Sequence, residues 1–276
     1  INHSWHVTLF VTPFGFTTGD LFVQGKHFQI NLNFIRHQLE IKASDNEAKV
    51  FSLVSLSVAE CYRNVMDSLQ ELDIDVKINP VPNEMENPYS LDEEVHNVYD
   101  PEIALAIHRA LLNSNEIFTK FRAGFIGKCS PVHFFWGGFD LAVSRFSGRT
   151  APEHPGGIPN MPDWVAQEAY SHEVCSCGFW LGNEMVPFAL FYSYLYPEPN
   201  GFKTSAVKPD GAYYHEDLRE FILPYESVRQ AANPSKVLMD FLNSTYQAAA
   251  DLAKWDRQNL ESQKSKYSNY HLSSKS

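Results

Sequence analysis

The chain has 276 residues, of which 44% are hydrophobic, 20% charged and 14% aromatic, and it carries a net charge of −11. A chain this long buries enough apolar surface to fold without disulfide or metal staples. Its acidic balance repels phosphate backbones and anionic lipid, which excludes nucleic acid as the main ligand and sets a membrane surface aside.

The chain opens at Ile1 with no initiator Met, so a first element is expected to be missing from it. Trp5 to Val11 alternates and predicts a strand with Trp5, Val7, Leu9 and Val11 on one face. Strands are expected next at 28–35, 38–42 and 51–54, with Ser44-Asp45-Asn46 as a turn, together an antiparallel meander. Ser57 and Glu60 have the spacing of a capping box, and Val58, Tyr62, Val65, Met66 and Leu69 recur at helical spacing behind it, predicting a helix over 58–72. Ile74 to Ile78 returns to strand, and 79–88 is a Pro/Asn-rich loop.

Asp100-Pro101 is an N-cap followed by proline at the first helical position, and Ile103, Ile107, Leu111 and Phe118 give that helix its apolar face to about 121. Residues 132–145 predict two short strands bent at Gly137-Gly138. A long Pro/Gly loop over 147–163 precedes a short helix at 163–170. Strands are expected at 173–180, 188–196 and 213–223, and Asn233-Pro234 opens the clearest helix, with Leu238, Phe241, Leu242, Tyr246, Ala249 and Leu252 as its buried stripe. Residues 261–276 have the composition of a disordered tail. The fold class is therefore α+β, antiparallel sheets packed with helices in two similar meander-plus-helix halves. One domain spans 1–256, its halves at 1–90 and 122–256 are joined by helix 101–121, and a polar tail runs over 257–276.

No apolar run reaches the roughly 18–20 residues of a membrane helix, and no secretory signal opens the chain. The four cysteines lie at 61, 129, 175 and 177, and Cys175-Ser176-Cys177 is too tight for a zinc knuckle. Reduced thiols in a soluble cytoplasmic protein are expected.

The segment from Gly127 to Asp140 is densest in chemistry. On a strand, His133 and Phe135 share one face, and an extra residue at the diglycine brings Asp140 round to it, so that His133 and Asp140 serve as base and orienting carboxylate. A histidine satisfied within a half-buried sheet is the competing explanation. His172-Glu173 lacks the spacing of a zinc protease, and on a strand the two point to opposite faces; at a helix end both would edge a pocket. His215 stands among Tyr213, Tyr214, Glu216 and Asp217, an arrangement that also suits a solvated edge. Arg149, at the start of the long loop, is the preferred clamp for an anionic group, with Arg122 and Arg145 behind it. Phe188, Leu190, Tyr192, Tyr194 and Tyr196 form an alternate-residue stripe of the kind more often found in cores than on stacking surfaces. His3 and His6, three apart on a strand, face opposite ways.

No GxGxxG, GxxxxGK[ST] or GxSxG is present, so dinucleotide, P-loop and α/β-hydrolase chemistry is not indicated and no cofactor is implied. The runs FRAGFIGKCSPVHFFWGGFDLAVSRFSGR (121–149), EAYSHEVCSCGFW (168–180), FYSYLYPEP (191–199) and FLNSTYQAAADLAKWDR (241–257) resemble a bacterial family of uncharacterised proteins, a domain of unknown function, over most of the chain. The resemblance implies no activity. It does imply an N-terminal segment rich in Trp, Thr and His ahead of Asn2, which would leave a site in this chain incomplete if that segment lines it.

Two functions follow as expectations. The first is a small-molecule pocket at the junction of the halves, lined by His133, Asp140, His172, Glu173 and His215. Arg149, Trp136, Tyr192 and Tyr194 would hold the ligand, and the chemistry would be acid–base or metal-assisted, of hydrolytic type. A metal would be zinc or iron on two histidines and a carboxylate. The alternative is a non-catalytic module that binds a small ligand or a protein through its surplus of aromatics.

Overall fold

The computed structural model describes residues 2–85, 87–94 and 99–262. They form two six-stranded antiparallel sheets with helices, an α+β architecture. The chain divides into two compact units, each discontinuous in sequence: unit 1 comprises 1–116, 132–142 and 153–169, and unit 2 comprises 117–131, 143–152 and 170–276. Among the described residues no helix is long and apolar enough to cross a membrane.

In unit 1 the strands are β1 (Phe10–Thr12), β2 (Gly15–Thr17), β3 (Leu21–Val23), β4 (Lys26–Asn33), β5 (Gln38–Ala43) and β6 (Ala48–Ser52), in the order β1-β2-β4-β5-β6 with β3 also pairing β4. Register sets Phe28 opposite Ala43, Ile30 opposite Ile41 and Leu32 opposite Leu39, so the apolar alternation of both strands falls on one face. Helix α1 (Val58–Glu71) begins at the expected capping box, with Ser57 Oγ accepting from Glu60 N–H and the Glu60 carboxylate accepting from Ser57 N–H. Its buried Leu69, with Leu72 and Ile74, packs against Phe28, Leu39, Ile41 and Leu53 to make the core of this sheet.

Of the expected strands, the one over Trp5 to Val11 is formed only at its end and the one over Ile74 to Ile78 is absent. Residues 2–4 form a 3-10 turn and regular strand begins only at Phe10. The His3 ring, bonded to the distant Ala169 carbonyl at 2.7 Å, holds this segment in a coil that its alternation does not encode. Ile74 to Ile78 is irregular: Ile74 N–H returns to the Leu69 carbonyl at 2.9 Å, and burying Ile74 rather than pairing with a neighbour fixes the segment.

Helix α2 (Pro101–Ala123) starts at Asp100, whose carboxylate accepts from the Glu102 and Ile103 N–H groups. The hairpin β7 (His133–Phe135) and β8 (Asp140–Thr150) follows as expected, and both α2 and β8 contribute residues to both units. In unit 1, β7 is also bridged to Leu9 by two 2.8 Å backbone bonds at Phe134. Helix α3 (Asp163–Ala169) completes unit 1.

The second sheet has the order β11-β12-β10-β9-β8-β7, with β9 (His172–Trp180), β10 (Leu190–Tyr196), β11 (Tyr213–His215) and β12 (Glu220–Pro224) in unit 2. The single strand expected over 213–223 is thus a hairpin whose charged centre is its turn. After a short α4 (Tyr225–Arg229), α5 (Pro234–Leu252) is capped by the Asn233 side chain and buries Leu238, Phe241, Leu242, Tyr246 and Ala249 as its periodicity requires. Within the expected polar tail, α6 (Arg257–Leu260) is helical and Glu261 bridges to Phe125; residues 263–276 lie outside the described residues.

Candidate functional site

In unit 1 the β7–β8 hairpin pairs His133 with Ala142 and Phe135 with Asp140. Paired residues of an antiparallel ladder share a face, so Asp140 stands on the His133 face. His133 is 1% exposed. Its ring meets Phe135 edge-on at 4.5 Å between centroids and lies 6.5 Å from Trp5. Neither ring nitrogen has a hydrogen-bond partner among the described residues, so no bond joins His133 to Asp140. Burial pushes the imidazole down to about 4, which keeps it neutral at physiological pH. A neutral imidazole has one N–H to give and one lone pair to fill, and both are buried here unfilled.

The hairpin turn, Trp136 to Phe139, holds a carboxylate that the sequence did not single out. Glu84 is placed by its N–H on the Pro159 carbonyl at 3.0 Å, and its neighbour Met85 by the Asn160 side-chain amide at 2.7 Å. A β-carbon added at Gly137 would lie 2.6 Å from Glu84 Oε1, and one at Gly138 would lie 2.9 Å from Asp140 Oδ1 and 3.3 Å from Glu84 Oε2. The diglycine therefore makes room for two carboxylates from distant parts of the sequence. Although Glu84 is exposed, the protein atoms crowding its carboxyl raise it above its ordinary value. Trp136 and Phe139 flank the turn, each 47% exposed. A hollow of about 570 Å3 beside the end of α1, lined by Asp67, Asp73 and Asp75 among others, contains none of the expected site residues.

A family model described as Family of unknown function (DUF5996) matches residues 1–262. The chain belongs to DUF5996. Comparison with curated proteins and with solved structures gives no match in either case.

The remaining expected site residues of this DUF5996 chain lie in unit 2 and have local partners. Arg149 lies in β8 rather than on a loop, and its guanidinium donates to Glu173 Oε2 at 2.6 and 3.0 Å and to the Ala253 carbonyl at 2.6 Å. Glu173 also accepts the indole N–H of Trp255 at 2.9 Å, so the pair latches β8 and β9 to the end of α5 and is not an open anion clamp. His172 starts β9 instead of edging a helix end, with Nδ1 3.1 Å from Ser171 Oγ. The His215 ring accepts from Leu218 N–H across its own turn at 3.3 Å. Tyr192, 8% exposed, stacks on Tyr194, whose hydroxyl is 2.8 Å from that of Tyr170. His133, Asp140 and Trp136 are thus grouped in unit 1, while His172, Glu173, His215, Arg149, Tyr192 and Tyr194 belong to unit 2.

All four cysteines are free thiols, and burial pushes Cys175 up to about 12 and Cys177 well above its ordinary value. Among the described residues no group of three His, Cys, Asp or Glu side chains is placed to hold a metal ion.

Proposed function

We propose that unit 1 binds a small, uncharged, polar organic molecule against the His133–Asp140 face of the β7–β8 hairpin, and that Asp140 and Glu84 move protons on it. The observation that carries this reading is the pair of buried ring nitrogens of His133 with no partner among the described residues. An unfilled donor and acceptor in an aromatic surround cost free energy that a bound ligand recovers. The same surround disfavours a charged ligand, because burial penalises charge.

Two carboxylates that both come close to Gly138 suit acid–base work: Glu84, whose carboxyl burial raises, supplies the proton and Asp140 receives one. Hydrolysis, with Asp140 activating a water, is the reaction class this division of roles fits best. A second reading, binding without catalysis, is favoured by the exposed rings of Trp136 and Phe139, which offer contact area and no chemistry.

Ligand-observed NMR of small amides, lactams and alcohols against the wild type and His133→Phe tests the site. Binding lost in His133→Phe supports it; equal binding to both proteins refutes it. With a ligand in hand, Glu84→Gln separates the readings. Turnover abolished with affinity retained marks an enzyme, whereas no turnover in the wild type marks a binding module.

A further inference from the structure

We infer that a ligand reaches His133 by displacing Trp5, and that the segment 2–8 is a strap holding this ring against the unit 1 site. The inference rests on the His133 reading for what enters; the strap itself is argued from the fold of unit 1. His133 is 1% exposed, so anything that bonds to its ring nitrogens needs an opening. Phe135 lies 4.5 Å and Trp5 6.5 Å from it between ring centroids. Phe135 is fixed in β7, where it pairs with Asp140 of β8. Trp5 belongs to no strand or helix and is half-exposed, and its ring is inclined by 47° to the imidazole, a wedge and not a close stack. Of these two rings, Trp5 is the one that can move aside.

The segment has an anchored end and a latched end. At Leu9, backbone bonds of 2.8 Å run both ways to Phe134, the neighbour of His133 in β7. At His3, Nδ1 is 2.7 Å from the Ala169 carbonyl at the end of α3, and the ring lies 5.4 Å from that of Trp5. Between the two ends, Val7 N–H donates to the Ser4 carbonyl at 3.2 Å and the Thr8 hydroxyl to the Trp5 carbonyl at 3.1 Å. Bonds within the segment survive if it swings as one piece. His3 and Ser4 have φ of 57° and 54°, two successive left-handed residues that carry β-carbons. Strain of this kind persists only where the surroundings hold it, and it gathers at clamps and switches. The His3–Ala169 bond is such a hold, and releasing it relieves the backbone and frees Trp5. The buried cluster of Ile41, Leu69 and their neighbours includes neither Trp5 nor His133, so the strap opens without breaking it.

Diethyl pyrocarbonate, which acylates neutral imidazole nitrogen, probes the opening with no ligand present, and peptide mass spectrometry reads each histidine separately. In wild type, urea below the unfolding midpoint should change the His133 labelling rate by less than about twofold, because a swinging strap exposes little surface. His108 is also 1% exposed and in unit 1, with Nε2 2.9 Å from the Thr12 carbonyl, so it reports unfolding of the unit and should accelerate steeply with urea. His3→Ala and Trp5→Ala should each speed His133 labelling by about tenfold, the loss of one closing interaction, with the His108 rate unchanged. Parallel acceleration of both histidines in urea would overturn the inference, as would variants that leave His133 labelling unaltered or raise it only together with His108. If the strap opens as stated while no small amide, lactam or alcohol binds, the reading of the unit 1 site fails and the strap stands; ligand binding with unaltered labelling rejects the strap alone.

Discussion

Replacing His133 by Phe removes the feature on which the unit 1 site rests. Each buried polar atom left without a partner costs about 1–3 kcal/mol, and His133 has two such atoms. Phe keeps a planar ring and adds a little volume, which costs about 1 kcal/mol of overpacking. The ligand-free variant should therefore be more stable than wild type by about 2 kcal/mol at neutral pH, equivalent to roughly 4–8 °C for a protein of this size. The gap should also depend on pH. The ring titrates at about 4 in the folded protein against 6.5 ordinarily, so between these values the unfolded chain binds the extra proton. Wild-type stability is then lost as pH falls from 6.5 toward 4, by up to about 3 kcal/mol, and the Phe variant is spared this loss. Urea unfolding of both proteins at several pH values across that window measures the gap directly. A variant less stable than wild type at pH 7.5, with a difference that does not change on acidification, would refute the reasoning, because it would mean that the ring is already satisfied inside the fold.

Other expectations follow from the same structure. Glu173→Ala should cost about 2 kcal/mol and Arg149→Ala no more than about 1, because only the first strips the acceptor from the indole N–H of Trp255, itself 6% exposed, while Arg149 is a half-exposed partner. Denaturant midpoints of the two variants give the order, and the reverse order would contradict the latch. Native protein should expose Cys61 and Cys129 to a thiol reagent far sooner than Cys175 and Cys177, which are fully buried and held protonated; mass spectrometry of the early adducts identifies the sites. Gly138→Ala places a methyl 2.9 Å from Asp140 Oδ1, so it should weaken ligand binding in unit 1 at least tenfold, about 1.4 kcal/mol, with little change in helix content by circular dichroism.

Elements whose signals are local were legible in the sequence. The Ser57–Glu60 box and Asn233-Pro234 start helices where they predict, since capping is decided within one turn. The β7–β8 hairpin and its bend at the diglycine were also legible, as was the sharing of a face by His133 and Asp140. Features decided by distant partners were not. Trp5 to Val11 alternates like a strand, yet the bond from His3 to Ala169, 166 residues away, is not written in that alternation. Ile74 to Ile78 has strand composition but pairs with no strand among the described residues. Glu84 lay hidden in a Pro/Asn-rich loop; the two adjacent glycines were the only hint that another group comes close there. Conversely, His172 and His215 have the chemistry of site residues, but each ring meets a partner one to three residues away, a local satisfaction that residue type alone does not reveal.

The most direct test of the account is a long-range proton–nitrogen correlation spectrum of the His133 ring, recorded from pH 8 to pH 4 and again with a bound amide or lactam. The account predicts a ring that stays neutral through pH 6 and a ligand-induced shift at one or both of its nitrogens. A ring that gains its proton near pH 6.5, with nitrogens indifferent to every ligand that binds, would contradict it.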